Sequence, residues 1–342
     1  MKQTDGSPRE LKKAAVLVAG SWGTALAAVL AANGHEVVMW TRSASQAAEI
    51  RDSHANTKYL PGAALPDNLT ATTDMAEALK DARLVLFAAP SSAMRQVASA
   101  AAPLLDPDAV IVHAAKGFEI DSLERMSHVL AEELGRPLET IVVLSGPSHA
   151  EEVVKQLPTT VVVASEAEGY AEQAQDAFIN SCFRVYTNRD VIGVEVAGAI
   201  KNIIALGAGL SDGLGFGDNA KAALLTRGLA EIGRLGQAMG ANMMTFAGLA
   251  GVGDLVATCT SPHSRNWRAG SLLASGLSLD EVLAKVGMVV EGVRTTRSAR
   301  SLAARYGVEM PITDQLYEVL FQNKAPREAV ESLMLRDRTG EL

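Results

Sequence analysis

The stretch AVLVAGSWGTALA, residues 15–27, decides how the first half of the chain folds. It opens β-rich, closes helix-forming and turns on glycine in between. That is the layout of a dinucleotide-binding strand–turn–helix, whose fingerprint is Gly-x-Gly-x-x-Gly. Gly20 and Gly23 hold the second and third places, where the backbone admits a pyrophosphate and the helix packs closely on the strand. Val18 holds the first place, that of the tight turn. A valine is tolerated there if its φ is negative and strained if φ is positive. The helix is expected from near Trp22–Thr24, with its free N–H groups facing the turn. Taken alone, the altered motif leaves a fold-only coincidence in competition with a nicotinamide site.

The next β-rich run, EVVMWTRS (36–43), bears on that competition. NAD-selective sites put an acid at its end to hold the ribose 2′-hydroxyl. Here Arg42 and Ser43 stand instead. They suit a 2′-phosphate, so NADPH is expected to be accepted, with a preference over NADH left open. A solvated surface arginine is the other reading of Arg42.

Further β-rich runs follow at LVLFAA (84–89), AVIVH (109–113) and TIVVLS (140–145). Helix-like stretches lie between the runs: TALAAVLAANG (24–34), MAEALKDA (75–82) and SLERMSHVLAEELG (122–135). Strands alternating with helices imply an α/β domain around a parallel sheet covered on both faces. TTVVVAS (159–165) and FRVYTN (183–188) extend that sheet, and NTKYLPGAALPDN (56–68) reads as a loop. From about Val194 onward the pattern is helices separated by glycine-rich turns. The change of character puts the boundary near residues 189–194, giving a tail at 1–13, a dinucleotide-binding domain at 14–192 and a helical domain at 193–342.

Bulk composition narrows the function classes. With 48% hydrophobic and only 4% aromatic residues, the cores must be built of Ala, Val, Leu and Ile. A net charge of -8 argues against a nucleic-acid footprint, which needs clustered Lys and Arg. Cys182 and Cys259 stand far apart without partners at zinc spacing, so free thiols and no metal site are expected. No run reaches membrane-span length without a polar interruption, and MKQTDGSPRELKK (1–13) lacks an apolar signal core. The expectation is a soluble cytoplasmic protein without stable membrane insertion.

The helical half carries the chemistry-bearing residues. VIGVEVAGAIKNIIALGAGL (191–210) has three strongly polar side chains, Glu195, Lys201 and Asn202. At helical spacing Glu195 and Asn202 share a face, and Lys201 sits on the adjoining one. Two readings of Lys201 stand level: a desolvated lysine with a lowered pKa, suited to proton transfer, or one that snorkels to the surface. In AGLAGVGDLVATCTSPHSRNWRAG (247–270), Gly251 and Gly253 suggest a turn. Asp254 is placed like an N-cap and shares a helical face with Thr258, and Arg265 can hold a phosphate bidentately or sit salt-bridged on the surface. Two loops also follow strands at the ligand-binding edge of the sheet. HAAKGFE (113–119) places Lys116 there, and SGPSHAEE (145–152) places Gly146 and Ser148, the latter fitting a capping box with Glu151.

AGSWGTALA, NTKYLPG, AAKGFE, SGPSHAEE, VEVAGAIKNIIALGAGLSDGLGFGDNAKAALLTRGLAE, GLAGVGDLVATCTSPHSRN and VVEGVRTT together resemble bacterial NAD(P)-dependent glycerol-3-phosphate dehydrogenase, from about residue 14 to residue 335. The resemblance implies an N-terminal Rossmann-type domain followed by an all-helical C-terminal substrate domain. The implied activity interconverts dihydroxyacetone phosphate and sn-glycerol 3-phosphate with NADPH or NADH, for phospholipid synthesis. By the resemblance, Lys201 is the catalytic lysine, supported by Asp254 and Thr258. Substrate-binding positions are then Lys116, Gly146, Ser148, Ser264, Arg265 and Asn266, together with Lys201 and Asp254. Cofactor-binding positions are Gly20, Ser21, Trp22, Gly23, Arg42, Ser43, Tyr59, Ala150, Val289 and Glu291, with Lys116 and Arg265 reaching the cofactor too. A homodimer is a plausible assembly for so Ala-rich a helical domain. Val18, where the family has glycine, departs from the pattern and bears on cofactor affinity. Two rivals stand beside this reading: a dehydrogenase of 2-hydroxy or sugar acids, and a nucleotide sensor that has lost catalysis.

Overall fold

The β-rich runs pair into one eight-stranded sheet in the order β3-β2-β1-β4-β5-β6-β7-β8. The strands are β1 (Lys13–Leu17), β2 (Glu36–Trp40), β3 (Leu69–Thr72), β4 (Leu84–Phe87), β5 (Val110–His113), β6 (Val142–Ser145), β7 (Thr159–Ala164) and β8 (Phe183–Asn188). These coordinates are a computed structural model that describes residues 13–337 and residue 340. The tail expected at 1–13 therefore lies outside the described residues except for Lys13, which opens β1.

Strands β4, β5 and β6 are buried along their whole length, which is why they read as unbroken apolar runs. Along β1 the two faces alternate. Ala14 and Val16 pack with helices α1 (Ser21–Ala32) and α7 (Glu168–Phe178), whereas Ala15 and Leu17 pack with α4 (Met94–Ala101) and α5 (Met126–Leu134). Helices α2 (Ala44–Ser53), α3 (Met75–Leu79) and α6 (Ala150–Val153) complete this half.

Two expectations need correction here. The sheet is not wholly parallel, because β7 runs antiparallel to β6 and β8 follows β7. Apolar periodicity reports which face of a strand is buried and carries no information on its direction. Strand β3 was not anticipated: LTAT is short, and it follows directly on the turn-rich loop that ends at Asn68.

After β8 the chain is helical. Its elements are α8 (Val191–Gly213), α9 (Gly217–Ala238), α10 (Met243–Phe246), a π-helical turn (Leu249–Gly253), α11 (Asp254–Thr260), α12 (Arg265–Ala274), α13 (Leu279–Val286), α14 (Glu291–Tyr306), α15 (Pro311–Phe321) and α16 (Pro326–Met334). The glycines expected to form a turn at 251 and 253 belong to the π-helical turn. Helix α8 is long and apolar enough to cross a bilayer, with mean hydropathy 1.6, and the Met243–Thr260 stretch passes the same test. The apolar window of α8 is 94% buried, so its composition is that of a core helix.

Glycines set how close α12 comes to α8. A Cβ on Gly209 would stand 1.8 Å from the Trp267 carbonyl oxygen, and one on Gly270 would stand 2.0 Å from that of Leu206. The two backbones therefore cross in direct contact, and any side chain at either position would force them apart. That crossing delivers the start of α12 to the middle of α8, next to Asn202.

Candidate active site

The chain reverses its winding between β1 and β4, and open α/β sheets bind ligands at such a switch point. The turn after β1 occupies it. Val18 has φ 82°, so the positive-φ branch of the sequence argument holds and the valine is strained, by about 1–3 kcal/mol. Its surroundings hold it there. Val18 N–H donates to the Trp40 carbonyl at 3.0 Å. The next carbonyl, of Ala19, accepts from Gln46 Nε2 at 2.7 Å and from Asn56 Nδ2 at 3.1 Å. A Cβ on Gly23 would stand 2.5 Å from the Val18 oxygen, so glycine is required where α1 packs on the turn. Helix α1 starts at Ser21, one residue earlier than expected, with Gly20 as a cap that offers no side chain.

A cleft of about 830 Å³ runs from this turn to the helical half. The sheet half contributes Gly20, Ser21, Trp22, Gly23, Tyr59, Lys116, Ser148 and Ala150 to its wall. The helical half contributes Lys201, Asp254, Thr258, Ser264, Arg265, Asn266, Val289 and Glu291. Three expected residues lie outside the lining. Arg42 and Ser43 are exposed at the end of β2, where the Ser43 hydroxyl caps α2 by accepting from Gln46 N–H at 3.3 Å. Gly146 stands behind the wall at φ 126°, and its carbonyl accepts from Lys116 Nζ at 3.2 Å. The turn end of the cleft fits a dinucleotide. Gly20 leaves open space where a Cβ would be, the first N–H groups of α1 lack a side-chain cap, and the Trp22 indole N–H is buried without a partner among the described residues.

Lys201 does not snorkel. It is 5% exposed, and its Nζ donates to Asp254 Oδ1 and Thr258 Oγ1, each at 2.5 Å. Lys116 Nζ donates to the other oxygen of the same carboxylate at 2.7 Å. Burial pushes the Lys201 ammonium down to about 8 against the pull of Asp254, and the Lys116 charge pushes the same way as burial. Burial alone would raise Asp254, but the two ammonium groups outweigh it and hold the carboxyl below its usual range. The result is one carboxylate shared by two lysines at the edge of a cleft.

Two capping assignments fail. Asp254 is the first residue of α11, the cap position belongs to Gly253, and the carboxylate faces the lysines rather than the helix N–H groups. Ser148 forms no capping box with Glu151. His149 takes the cap position of α6, and the Ser148 hydroxyl donates to the Gly146 carbonyl at 2.9 Å. Ser264 does cap α12, accepting from Trp267 N–H at 3.2 Å. Arg265 is half-buried and makes no hydrogen bond or ion pair with any described residue, so the salt-bridged reading is excluded. Burial lowers its pKa, countered in part by Glu291. Glu291 is itself half-buried at the start of α14 and accepts from Ser91 N–H and Oγ at 3.3 and 3.0 Å.

Comparison with known proteins identifies the family. The model of the NAD-dependent glycerol-3-phosphate dehydrogenase N-terminus matches residues 13–171, and that of the C-terminus matches residues 190–331. The chain belongs to this family. Glycerol-3-phosphate dehydrogenase [NAD(P)+] of Bacillus subtilis is 56% identical over 97% of this chain and 96% of its own. The same enzyme of Lysinibacillus sphaericus is 56% identical over 97% and 98%. Among solved structures, glycerol-3-phosphate dehydrogenase from Coxiella burnetii superposes with a TM-score of 0.91 at 40% identity, covering 95% of this chain and 99% of that one.

Sequence reasoning passed over several residues that the fold brings to the cleft. Asn202 donates through Nδ2 to the Lys116 carbonyl at 3.4 Å and accepts at Oδ1 from Asn266 Nδ2 at 2.8 Å. Asn266 Oδ1 accepts in turn from Gly292 N–H at 2.9 Å. This amide chain ties together the blocks that resemble the family. The signal for Asn202 was the one that marked Lys201, a polar side chain in an apolar helix. His149 and His263, with ring centroids 5.8 Å apart, also line the cleft, as does Arg268, and no spacing pattern marks them.

Proposed function

We propose that this protein catalyses reversible reduction of dihydroxyacetone phosphate to sn-glycerol 3-phosphate with NADPH or NADH, supplying the backbone for phospholipid synthesis in the cytoplasm. The observation that carries the reading is the Lys201–Asp254–Lys116 cluster in the same cleft as the dinucleotide-binding turn. A bound nicotinamide supplies the hydride for C2 and takes it back in reverse. Lys201, as ammonium, donates a proton to the C2 oxygen, and as neutral amine it accepts that proton in the oxidation. Asp254 orients both lysines, and Thr258 accepts a further hydrogen bond from Lys201.

Arg265, with its fork unengaged, holds the substrate phosphate beside Ser264 and Asn266. Fixing the phosphate turns binding energy into alignment of C2. Lys116, Gly146 and Ser148 close the sheet side of the substrate position. The uncapped N-terminus of α1 at Gly20, Ser21, Trp22 and Gly23 receives the pyrophosphate, with Tyr59, Ala150, Val289 and Glu291 along the rest of the cofactor. Arg42 and Ser43, exposed at the end of β2, reach a 2′-phosphate. Residues 14–192 supply the dinucleotide turn and 193–342 the proton donor and phosphate anchor, each half also lending side chains to the other ligand, in a chain that acts as a homodimer.

The test is to mix the purified protein with dihydroxyacetone phosphate and NADPH, then NADH, and follow loss of the reduced cofactor's absorbance. Rapid oxidation with either cofactor supports the reading, and silence with both, also in Val18→Gly, refutes it. Arg42→Ala should raise KM for NADPH more than KM for NADH. Sedimentation of the free protein decides the dimer.

A further inference from the structure

Six residues before Lys201, helix α8 carries a second buried charge that the chemistry above does not use. Glu195 is 5% exposed, and every group facing its carboxylate comes from the sheet half. Arg125 Nη1 donates to Oε2 at 2.5 Å, Ser127 N–H to Oε1 at 2.8 Å and Ser127 Oγ to Oε2 at 2.6 Å. His113 is wholly buried with Nε2 at 3.3 Å from Oε1, close to the carboxylate but short of hydrogen-bond geometry. These partners are not scattered. His113 ends β5, Arg125 and Ser127 sit at the start of α5, and the loop between them is the one that carries Lys116. A bridge between Phe118 and Arg125 closes the loop on itself. One carboxylate on α8 thus grips both ends of the Lys116 loop, and Asn202, on the same face, holds the Lys116 carbonyl.

We propose that Glu195 is a positioning residue for Lys116: by tying both ends of the 113–125 loop to α8, it sets the Lys116 ammonium on Asp254 and, through that shared carboxylate, tunes Lys201. The inference rests on the reading of Lys201 as the proton donor. Charge neutralisation of Arg125 alone would need no such arrangement, since a buried ion pair is commonly replaceable by apolar groups without loss of stability. What apolar groups cannot do is hold a backbone N–H, a hydroxyl and a guanidinium of one loop to a neighbouring helix in a single geometry.

The consequence for Lys201 has a definite sign. The groups that act on its ammonium are Asp254 and Thr258 of α11, Cys259 of the same helix, Lys116 of the loop and His149 at the cap of α6. Burial pushes the Cys259 thiol up to about 12 and the His149 imidazole down, so both are neutral at pH 7 to 8. Lys116 and Asp254 are left as the charges that matter. If the loop slackens, Lys116 withdraws from Asp254, Lys201 keeps the carboxylate to itself, and its proton is held more tightly.

Glu195→Gln keeps the shape and removes the charge. Its kcat should fall roughly tenfold to a hundredfold, the scale of a small misplacement of a reacting group, with dinucleotide Kd unchanged. The pH at which kcat for reduction declines should move upward by roughly half a unit or more. A purely structural defect would lower kcat and leave that pH in place. In a Lys116→Met background, Glu195→Gln should no longer move it, because the two substitutions act through one group. A shift that persists in that background, or a folded Glu195→Gln enzyme with no shift, overturns the proposal. Should Glu195→Gln fail to fold, Ser127→Ala removes the hydroxyl that donates to Glu195 Oε2 and accepts from Arg125 Nη1, while keeping Arg125 itself, and the same upward shift is expected. The pH dependence of Lys201 acylation by an amine-selective reagent, read by peptide mass, gives the same midpoint without turnover. If Lys201→Met proves fully active, the proton-donor reading falls, whereas the acylation midpoint still decides the role of Glu195.

Discussion

Glu195 and Lys201 lie on one helix, are buried to the same 5% exposure, and have opposite fates. Burial disfavours the charged form of each. At Glu195 the nearby His113 and Arg125 and the Ser127 donors overturn that penalty and hold the carboxyl at about 2. At Lys201 the single opposing carboxylate is shared with another ammonium, burial wins, and the group falls to about 8. One charge is locked and the other is poised near neutrality. The difference lies in how completely each is compensated, and the incompletely compensated one borders the cleft.

The sharpest way to break this comparison is to remove the poised charge. Lys201→Met should lose about 10²- to 10⁴-fold in kcat while dinucleotide Kd, read by titration of the reduced cofactor's fluorescence, changes little. A loss comparable to that of Glu195→Gln would mean that the two charges play equivalent, structural parts. The pH profile carries the same prediction. Reduction needs the ammonium, so its kcat declines as pH rises through about 8, and oxidation, which needs the amine, rises through the same pH.

Next in size is Asp254→Asn, which leaves two buried ammonium groups facing each other. Breaking a buried pair typically costs about 3–5 kcal/mol, visible as a drop in denaturant midpoint at pH 7. At the same time Lys201 should deprotonate at lower pH, because its one attractive partner is gone. A stable Asp254→Asn protein with an unmoved kcat profile would show that the carboxylate does not hold the lysines charged.

Stability against pH separates the two charges by sign. The Glu195 carboxyl is held below its unfolded value, so its contribution is present above about pH 4.5 and is lost as pH falls through about 2. That contribution is on the order of 3 kcal/mol, and Glu195→Gln should flatten the acid limb of the unfolding curve. Lys201 is lowered as a base, so the unfolded chain binds the extra proton and stability should rise from about pH 8 to about 10.5. Glu231 is raised to about 7 because burial outweighs the hydrogen bonds it accepts from the Ile312 and Thr313 N–H groups and the Thr313 hydroxyl. Its contribution is fullest below about pH 4.5 and fades as pH rises through about 7, and Glu231→Gln should remove that fade.

The contrast between the two charges was only half legible in the sequence. Three polar residues in an apolar helix marked α8 as unusual, and spacing put Glu195 and Asn202 on one face, which the fold turns toward the Lys116 loop and the start of α5. Periodicity could not say which would be compensated, because Arg125, Ser127 and His113 are remote in sequence. The same distance hid the role of Asp254. Beside two glycines it looked like a cap, and only folding brings Lys116, 138 residues away, onto its carboxylate. Local chemistry was readable where the partner is local, as with Asp254 and Thr258, four residues apart on one face and both bonded to Lys201. Ser148 shows the limit of even that rule: its capping pattern was present, but α6 starts one residue later with His149 at the cap, and the Ser148 hydroxyl donates to the Gly146 carbonyl.

The turn at Val18 extends the comparison from charge to backbone, with the smallest expected effect. Its φ of 82° is a local cost at the cleft edge, retained because Trp40, Gln46 and Asn56 fix the flanking peptides. Glycine there should recover about 1–3 kcal/mol of strain. Against this stand about 0.5–1 kcal/mol for the freer unfolded chain and the lost contacts of a half-buried side chain. Alanine loses the same contacts and keeps most of the strain. Val18→Gly should therefore melt at or slightly above the parent and Val18→Ala below both. Since the Val18 side chain lines the cleft, glycine should also tighten dinucleotide binding, by less than about tenfold. If Val18→Gly instead melts below Val18→Ala, packing of the isopropyl group outweighs the strain. The valine would then be an ordinary core residue that happens to sit at a left-handed turn, and the comparison with Lys201 would not extend from charge to backbone.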